Sequence, residues 1–250
     1  MLTSERSRPL LCLAGIFFTF ACLLTAVYYN FPELADEDRE HFKYPRNLDE
    51  AKRLGLILSQ YKEQHYYTVM CGIVVVYIML QSFAIPGSIF LSILSGYLFP
   101  FFVALTLICS CSAIGATVCY LLSFLLGRGL VTHYFPERVN SWQTEIEKHK
   151  QNLFNYIIFL RVTPLLPNWF INIASPVLNV PVSPFFWGTF LGVAPPSFLF
   201  IQAGATLETM THTNVAWSWH SVGLLSFFAL LSLLPVLYRR GKGTDRPKSD

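Results

Sequence analysis

From Tyr66 to Gly127 the chain carries no Asp, Glu, Lys or Arg. Apolar runs beyond about 18 residues read as membrane helices, so this stretch has to be folded in lipid. It is nevertheless too long for one crossing, and Pro86-Gly87 interrupts it midway. A Pro-Gly pair turns the chain, and broken backbone at membrane depth is tolerated only where it is buried or lines a polar cavity. The stretch therefore divides into a hairpin over Tyr66–Phe99 that enters and leaves on one face, and a full crossing over Phe101–Gly127. Along the crossing, Gly115, Cys119 and Ser123 recur at helical spacing and offer a small-residue face for close packing.

Composition agrees with a membrane protein. The chain is 53% hydrophobic and 13% charged, against about 25% charged in soluble domains. A formal net charge of +3 gives no reason to expect a nucleic-acid partner. The six cysteines lie in apolar runs without zinc-site spacing. No Gly-rich phosphate loop and no Ser–His–carboxylate spacing is present, so neither a cofactor nor catalysis is expected.

A second broken segment spans Asn152–Val180. Arg161, the only charged side chain between Gln151 and Leu207, sits there, followed by Pro164 and Pro167. A cation at the centre of a membrane costs from about 3 kcal/mol upward, so it is paired or functional. Pro86 precedes Pro100 by fourteen positions, as Pro167 precedes Pro181, and Pro-Phe-Phe occurs at Pro100 and again at Pro184. This spacing predicts an all-α protein with an inverted repeat. Each half holds a re-entrant hairpin followed by a crossing helix, and N- and C-terminal membrane helices flank the pair.

The expected organisation is a cytosolic tip and first helix over 1–30 (its apolar run Pro9–Tyr29 a retained signal anchor), then a far-side polar segment over 31–65. The repeat core covers 66–208, a last helix 209–238 (its crossing run Ala216–Tyr238), and a basic tail 239–250. Asn47 is a candidate N-cap of a helix in the polar segment, its apolar side built from Leu54, Leu56, Ile57, Leu58 and Tyr61. That helix either lies on the membrane surface or packs on the protein. A short surface helix is expected over Glu137–Lys150. With Pro184–Leu207 as the remaining crossing, four spans put both termini on one side. Arg6 and Arg8, the Arg128–Lys150 segment and the basic tail make that side cytosolic.

Several longer words are familiar. Phe83-Ala-Ile-Pro-Gly-Ser88, Leu91-Ser-Ile-Leu-Ser-Gly96, Gly115-Ala-Thr-Val-Cys-Tyr120 and Phe159-Leu-Arg-Val-Thr-Pro-Leu-Leu-Pro-Asn-Trp-Phe-Ile-Asn172 resemble the DedA superfamily. Within it, they are similar to the eukaryotic VTT-domain branch that includes the transmembrane protein 41 group. Gly188-Thr-Phe-Leu-Gly-Val-Ala-Pro-Pro-Ser197 looks most like the B branch of that group. The resemblance implies two opposed re-entrant hairpins, residence in the endoplasmic reticulum and energy-independent phospholipid scrambling. Phosphatidylserine, phosphatidylcholine and phosphatidylethanolamine would be carried, in support of autophagosome formation, lipid droplets and lipoprotein export. Lipid-transfer and autophagy proteins are implied partners. In the family it resembles, many bacterial members carry acidic residues near the first hairpin. Gln81 to Pro86 has none, which argues against proton coupling.

On this reading Arg161, Asn168, Asn172, Ser88, Ser92 and Gln81 line a lipid path, with Arg161 on the phosphate. Pro86, Gly87, Gly96, Pro164 and Pro167 shape the hairpins. Arg161 has two other readings, bonding free carbonyls at a helix end or snorkelling to the interface. Arg246 and Lys248 form either a dibasic retrieval signal or a solvated tail. The competing functions are an ion-coupled transporter of lipids or small anions, and a scaffold without transport.

Overall fold

The structure is a computed structural model and describes residues 2–31, 42–45, 47–148, 152–163 and 166–212. The crossing run Ala216–Tyr238 of the expected last helix, Arg246 and Lys248, and Pro164 lie outside the described residues.

The described residues are helical. They form α1 (Leu2–Asn30), α2 (Leu48–Ser82), α3 (Ser88–Leu98) and α4 (Phe101–Leu122). A π-turn over Ser123–Gly127 leads to α5 (Arg128–Tyr134) and α6 (Pro136–Lys148). The chain continues as α7 (Leu153–Val162), α8 (Asn168–Val177), α9 (Val182–Gly192) and α10 (Ala194–His212). Among the described residues, four stretches are long and apolar enough to cross a membrane: Leu11–Asn30, Leu48–Ser82, Phe101–Gly127 and Val182–Thr209.

Length alone misrepresents α2. As a straight rod, 35 residues would reach about 52 Å. Instead His65 leaves helical geometry (φ −126°, ψ 43°), and Tyr44, before the helix, packs its hydroxyl on Gly87, beyond its end. The two limbs therefore fold back on one another. Asn47 caps the first limb, accepting from the Glu50 amide at 2.8 Å. Ala51, Leu54, Gly55, Ile57 and Leu58 of that limb are buried, with Tyr97 seated against Gly55. Of the two placements open for the helix after Asn47, packing on the protein is the one observed.

The second limb and α3 form the expected chain reversal. The turn between them contains Ala84 (φ +56°) and Gly87 (φ +124°), and at Gly87 an added Cβ would also collide with the Tyr44 ring. At the other end Tyr66 meets Phe99 edge-on at 5.4 Å, so the segment returns to the level where it began. The 11 residues of α3 rise only about 16 Å, roughly half a bilayer core. In the second half α7 and α8, of 10 residues each, reach about 15 Å.

The bases of the two hairpins lie at opposite ends of α4 and its π-turn. Phe99 and Pro100 adjoin the start of α4, while Arg128, just past the π-turn, donates to the Asn179 side chain at the end of the second hairpin (2.6 Å). Contacts then recur at a spacing of seventy-nine to eighty-one positions. Pro100 and Pro181 both precede a crossing helix with nearly the same backbone angles. Lys62 Nζ donates to the Leu98 carbonyl at 2.6 Å, and Gln143 Nε2 to that of Val177 at 2.9 Å. Gly204 presses on the Ile93 carbonyl, and Ser123 Oγ donates to that of Ile173 at 2.8 Å. In each of the last two pairs, a crossing helix of one half meets the short helix of the other.

Two expectations are corrected. Gly96 does not break the hairpin; it lies inside α3, where Ile201 backbone occupies the space a Cβ would need. The crossing expected as one helix over Pro184–Leu207 starts at Val182 and is interrupted at Val193, because Pro195 and Pro196 fit only a fresh first turn. The crossing expected over Phe101–Gly127 has those bounds, and its last turn is a π-turn.

Candidate functional site

Each half encloses a buried polar knot where its three helices meet. In the first, Tyr77 of α2, Ser92 of α3 and Ser112 of α4 converge: Tyr77 and Ser92 hydroxyls are 3.1 Å apart, and Ser112 donates to Tyr77 at 3.2 Å. Ser92 also donates to the Ser88 carbonyl. In the second, Arg161 of α7 joins Asn172 of α8 and Thr189 of α9. Its Nη2 donates to Asn172 Oδ1 at 2.6 Å and Thr189 Oγ1 at 3.0 Å. Its Nη1 donates to the Asn168 side-chain oxygen at 3.1 Å and carbonyl at 3.3 Å. The guanidinium also stands over the Phe185 ring, 5.4 Å from its centroid. Ser92 and Asn172 occupy corresponding places eighty positions apart.

Arg161 is 5% exposed and Asn172 0%, and Gly192 gives the Arg161 stem its space on α9. Snorkelling is excluded by this burial. The bonded carbonyl is that of Asn168, the first residue of a helix, so capping of a helix C-terminus is not what is seen either. Two donors, Arg161 Nε and Asn172 Nδ2, remain buried without a partner.

The expected path residues separate into two groups. Ser92, Asn172 and Arg161 face the interior and hold helices together, because a buried polar atom needs bonded partners. Gln81 and Ser88 are half-buried and Asn168 exposed; they stand at the two hairpin tips, with Pro86 and Pro167 exposed beside them. Gln81 and Arg161 are each the last residue but one of an inbound helix. Gln81 rests on Gly115, about 21 Å of helix rise from Phe101 and so near mid-crossing.

Arg161 also fixes what Asn168 presents. A guanidinium can only donate, so the amide atom facing it is the oxygen. The exposed Asn168 amide then directs its two N–H groups away from Arg161, polarised by the charge behind it.

Sequence reasoning missed Tyr77, Ser112 and Thr189, which look like ordinary helix residues. It also missed the charged surroundings of the first tip. Because Tyr44 packs on Gly87, the start of α2 is drawn toward that turn, and Lys43, Asn47, Asp49, Glu50 and Arg53 line a cavity of about 240 Å³ there. The Asn47 cap was the available signal, but nothing local shows which tip it approaches.

These features define a multi-pass helical membrane protein. The VTT domain family model matches residues 85–206. A transmembrane protein 41 homolog from Caenorhabditis elegans is 61% identical over 243 residues, covering 97% of this chain and 98% of the relative. Transmembrane protein 41B from Homo sapiens is 53% identical over 231 residues, covering 92% and 79%. The Danio rerio protein of that name is also 53% identical, covering 92% and 82%. The chain belongs to the transmembrane protein 41 family of VTT-domain membrane proteins. No solved structure matches it.

Proposed function

We propose that the protein moves phospholipids between leaflets without an energy source, through an inverted repeat whose two hairpins are re-entrant. The observation that carries this reading is the pairing of hairpins based at opposite ends of one crossing helix. The return helix of the first and both helices of the second are short and reach only part-way across. A lipid headgroup crosses slowly unaided because burying its unpaired charge costs many kcal/mol. Tips that stop short let polar surface extend inward from both faces and shorten the apolar stretch that remains.

At the first tip Gln81, Ser88 and the charged start of α2 offer donors and acceptors. At the second, Asn168 offers its outward N–H groups to a passing phosphate, and Arg161 acts through it as a fixed positive charge and positioning group. This modifies the direct Arg161–phosphate contact expected from sequence. No carboxylate lies between Gln81 and Pro86, which supports passive movement over proton coupling. No catalytic step is part of the proposal.

The family resemblance supports placement in the endoplasmic reticulum and supply of lipid for autophagosomes, lipid droplets and lipoproteins. The positive residues of the Arg128–Lys148 region support a cytosolic second base.

The test is purified protein in lipid vesicles with fluorescent lipid, bleached from outside, with and without a proton gradient. Flipping at equal rates in both conditions is expected. No flipping, or flipping only with a gradient, refutes the reading.

A further inference from the structure

At the base of the first hairpin a second cavity, of about 280 Å³, opens between α2, α3, α4 and α10. This is near the lower limit of the roughly 300–1,000 Å³ usual for small-molecule sites. Its wall is apolar at Leu98, Phe99, Phe101 and Ile201, and it holds two opposite charges, Lys62 and Glu208. Both are half-buried, and no ion pair joins them among the described residues.

The positive charge is not required by the fold. Lys62 satisfies the Leu98 carbonyl at the end of α3. In the second half Gln143 does the same for Val177 with a neutral amide. A lysine here brings a charge and two further N–H donors beyond that structural task. Glu208 and Phe101, whose ring packs on Phe198 at 5.3 Å, also line the cavity; a carboxylate and an aromatic ring together suit a cation, quaternary ammonium groups included. The counterpart of Glu208 in the other half is Gly127, so among the described residues the second base has no equivalent of this charge pair.

We propose that this cavity receives the zwitterionic headgroup of a membrane phosphodiester, with its phosphate on the Lys62 ammonium and its cationic head against Glu208 and Phe101. The inference rests on the lipid-moving reading and adds a headgroup class and a place where the lipid is held before it reaches the hairpin tips. The site selects zwitterionic over anionic headgroups, because Glu208 attracts the former and repels the latter.

The test uses the full chain in phosphatidylglycerol vesicles with trace photoreactive phosphatidylcholine or photoreactive phosphatidylglycerol. Crosslinks are mapped to residues 96–101 and 201–208, and flipping is measured in parallel. Strong labelling by the choline probe is expected in the unaltered chain. E208Q should lower choline labelling severalfold and leave glycerol labelling unchanged or raised. K62Q, which keeps an amide for Leu98 as Gln143 does for Val177, should lower both. Excess soluble glycerophosphocholine should leave labelling in place; if it abolishes labelling, the ligand is a soluble phosphodiester and the lipid assignment is overturned. Labelling unchanged by both substitutions, or a flipping protein that does not label, also overturns the site. A protein that labels with this pattern but does not flip refutes the lipid-moving reading and leaves the site standing.

Discussion

Replacing Arg161 with methionine keeps most of the side-chain volume and removes every hydrogen bond of the second knot that the guanidinium makes. Its partners do not suffer equally. Asn168 is exposed and finds other partners. The Thr189 hydroxyl can turn to a carbonyl one helical turn back. Asn172 Oδ1 has no such alternative, because the residue is 0% exposed and its 2.6 Å bond comes from Arg161. A buried acceptor left without a partner costs about 1–3 kcal/mol, and loss of the cation over Phe185 adds about 1–2 kcal/mol. Relief of burying an uncompensated charge offsets part of this, so the net expectation is a destabilisation of about 2–3 kcal/mol. Unfolding in detergent, followed by tryptophan fluorescence, measures it. The double variant R161M/N172L should be less destabilised than the sum of the single changes, by about 1–2 kcal/mol, since both partners are then gone. If R161M unfolds within about 0.5 kcal/mol of the unaltered chain yet fails to flip lipid, Arg161 touches the lipid directly and the positioning role is wrong.

Three further outcomes follow from the same geometry. Gly204→Ala drives a methyl group into the Ile93 carbonyl, so α3 and α10 must separate; a loss of about 1–3 kcal/mol is expected by detergent unfolding. Asn168→Ala should leave stability within about 0.5 kcal/mol while flipping in vesicles slows severalfold, because the exposed donors vanish and the Arg161 contact to the Asn168 carbonyl remains. Tyr77→Phe strips the Ser112 hydroxyl of its acceptor, whereas Ser92 keeps the Ser88 carbonyl; a cost of about 1–2 kcal/mol in the same unfolding measurement is expected.

Hydrophobic runs and their interruptions are local properties, and those were legible in the residues. The uncharged stretch from Tyr66 to Gly127 required a lipid environment, Pro86-Gly87 marked the first chain reversal, and Asn47 announced the start of α2. Pro100 marked the entrance to one crossing helix, while the other opens after Pro181 and not at Pro184 as its Pro-Phe-Phe suggested. Arg161 stood out because a cation in so apolar a stretch needs an explanation. Which groups share a cluster depends instead on how helices are set against one another, and only the tertiary structure decided that. It placed Ser92 with Tyr77 and Ser112, enclosed Asn172 around Arg161, folded α2 back at His65 and brought Lys62 to the same cavity as Glu208. A glycine reads alike as a helix breaker or as space for a neighbouring backbone, and the choice at Gly96 was made by Ile201, more than a hundred residues along the chain.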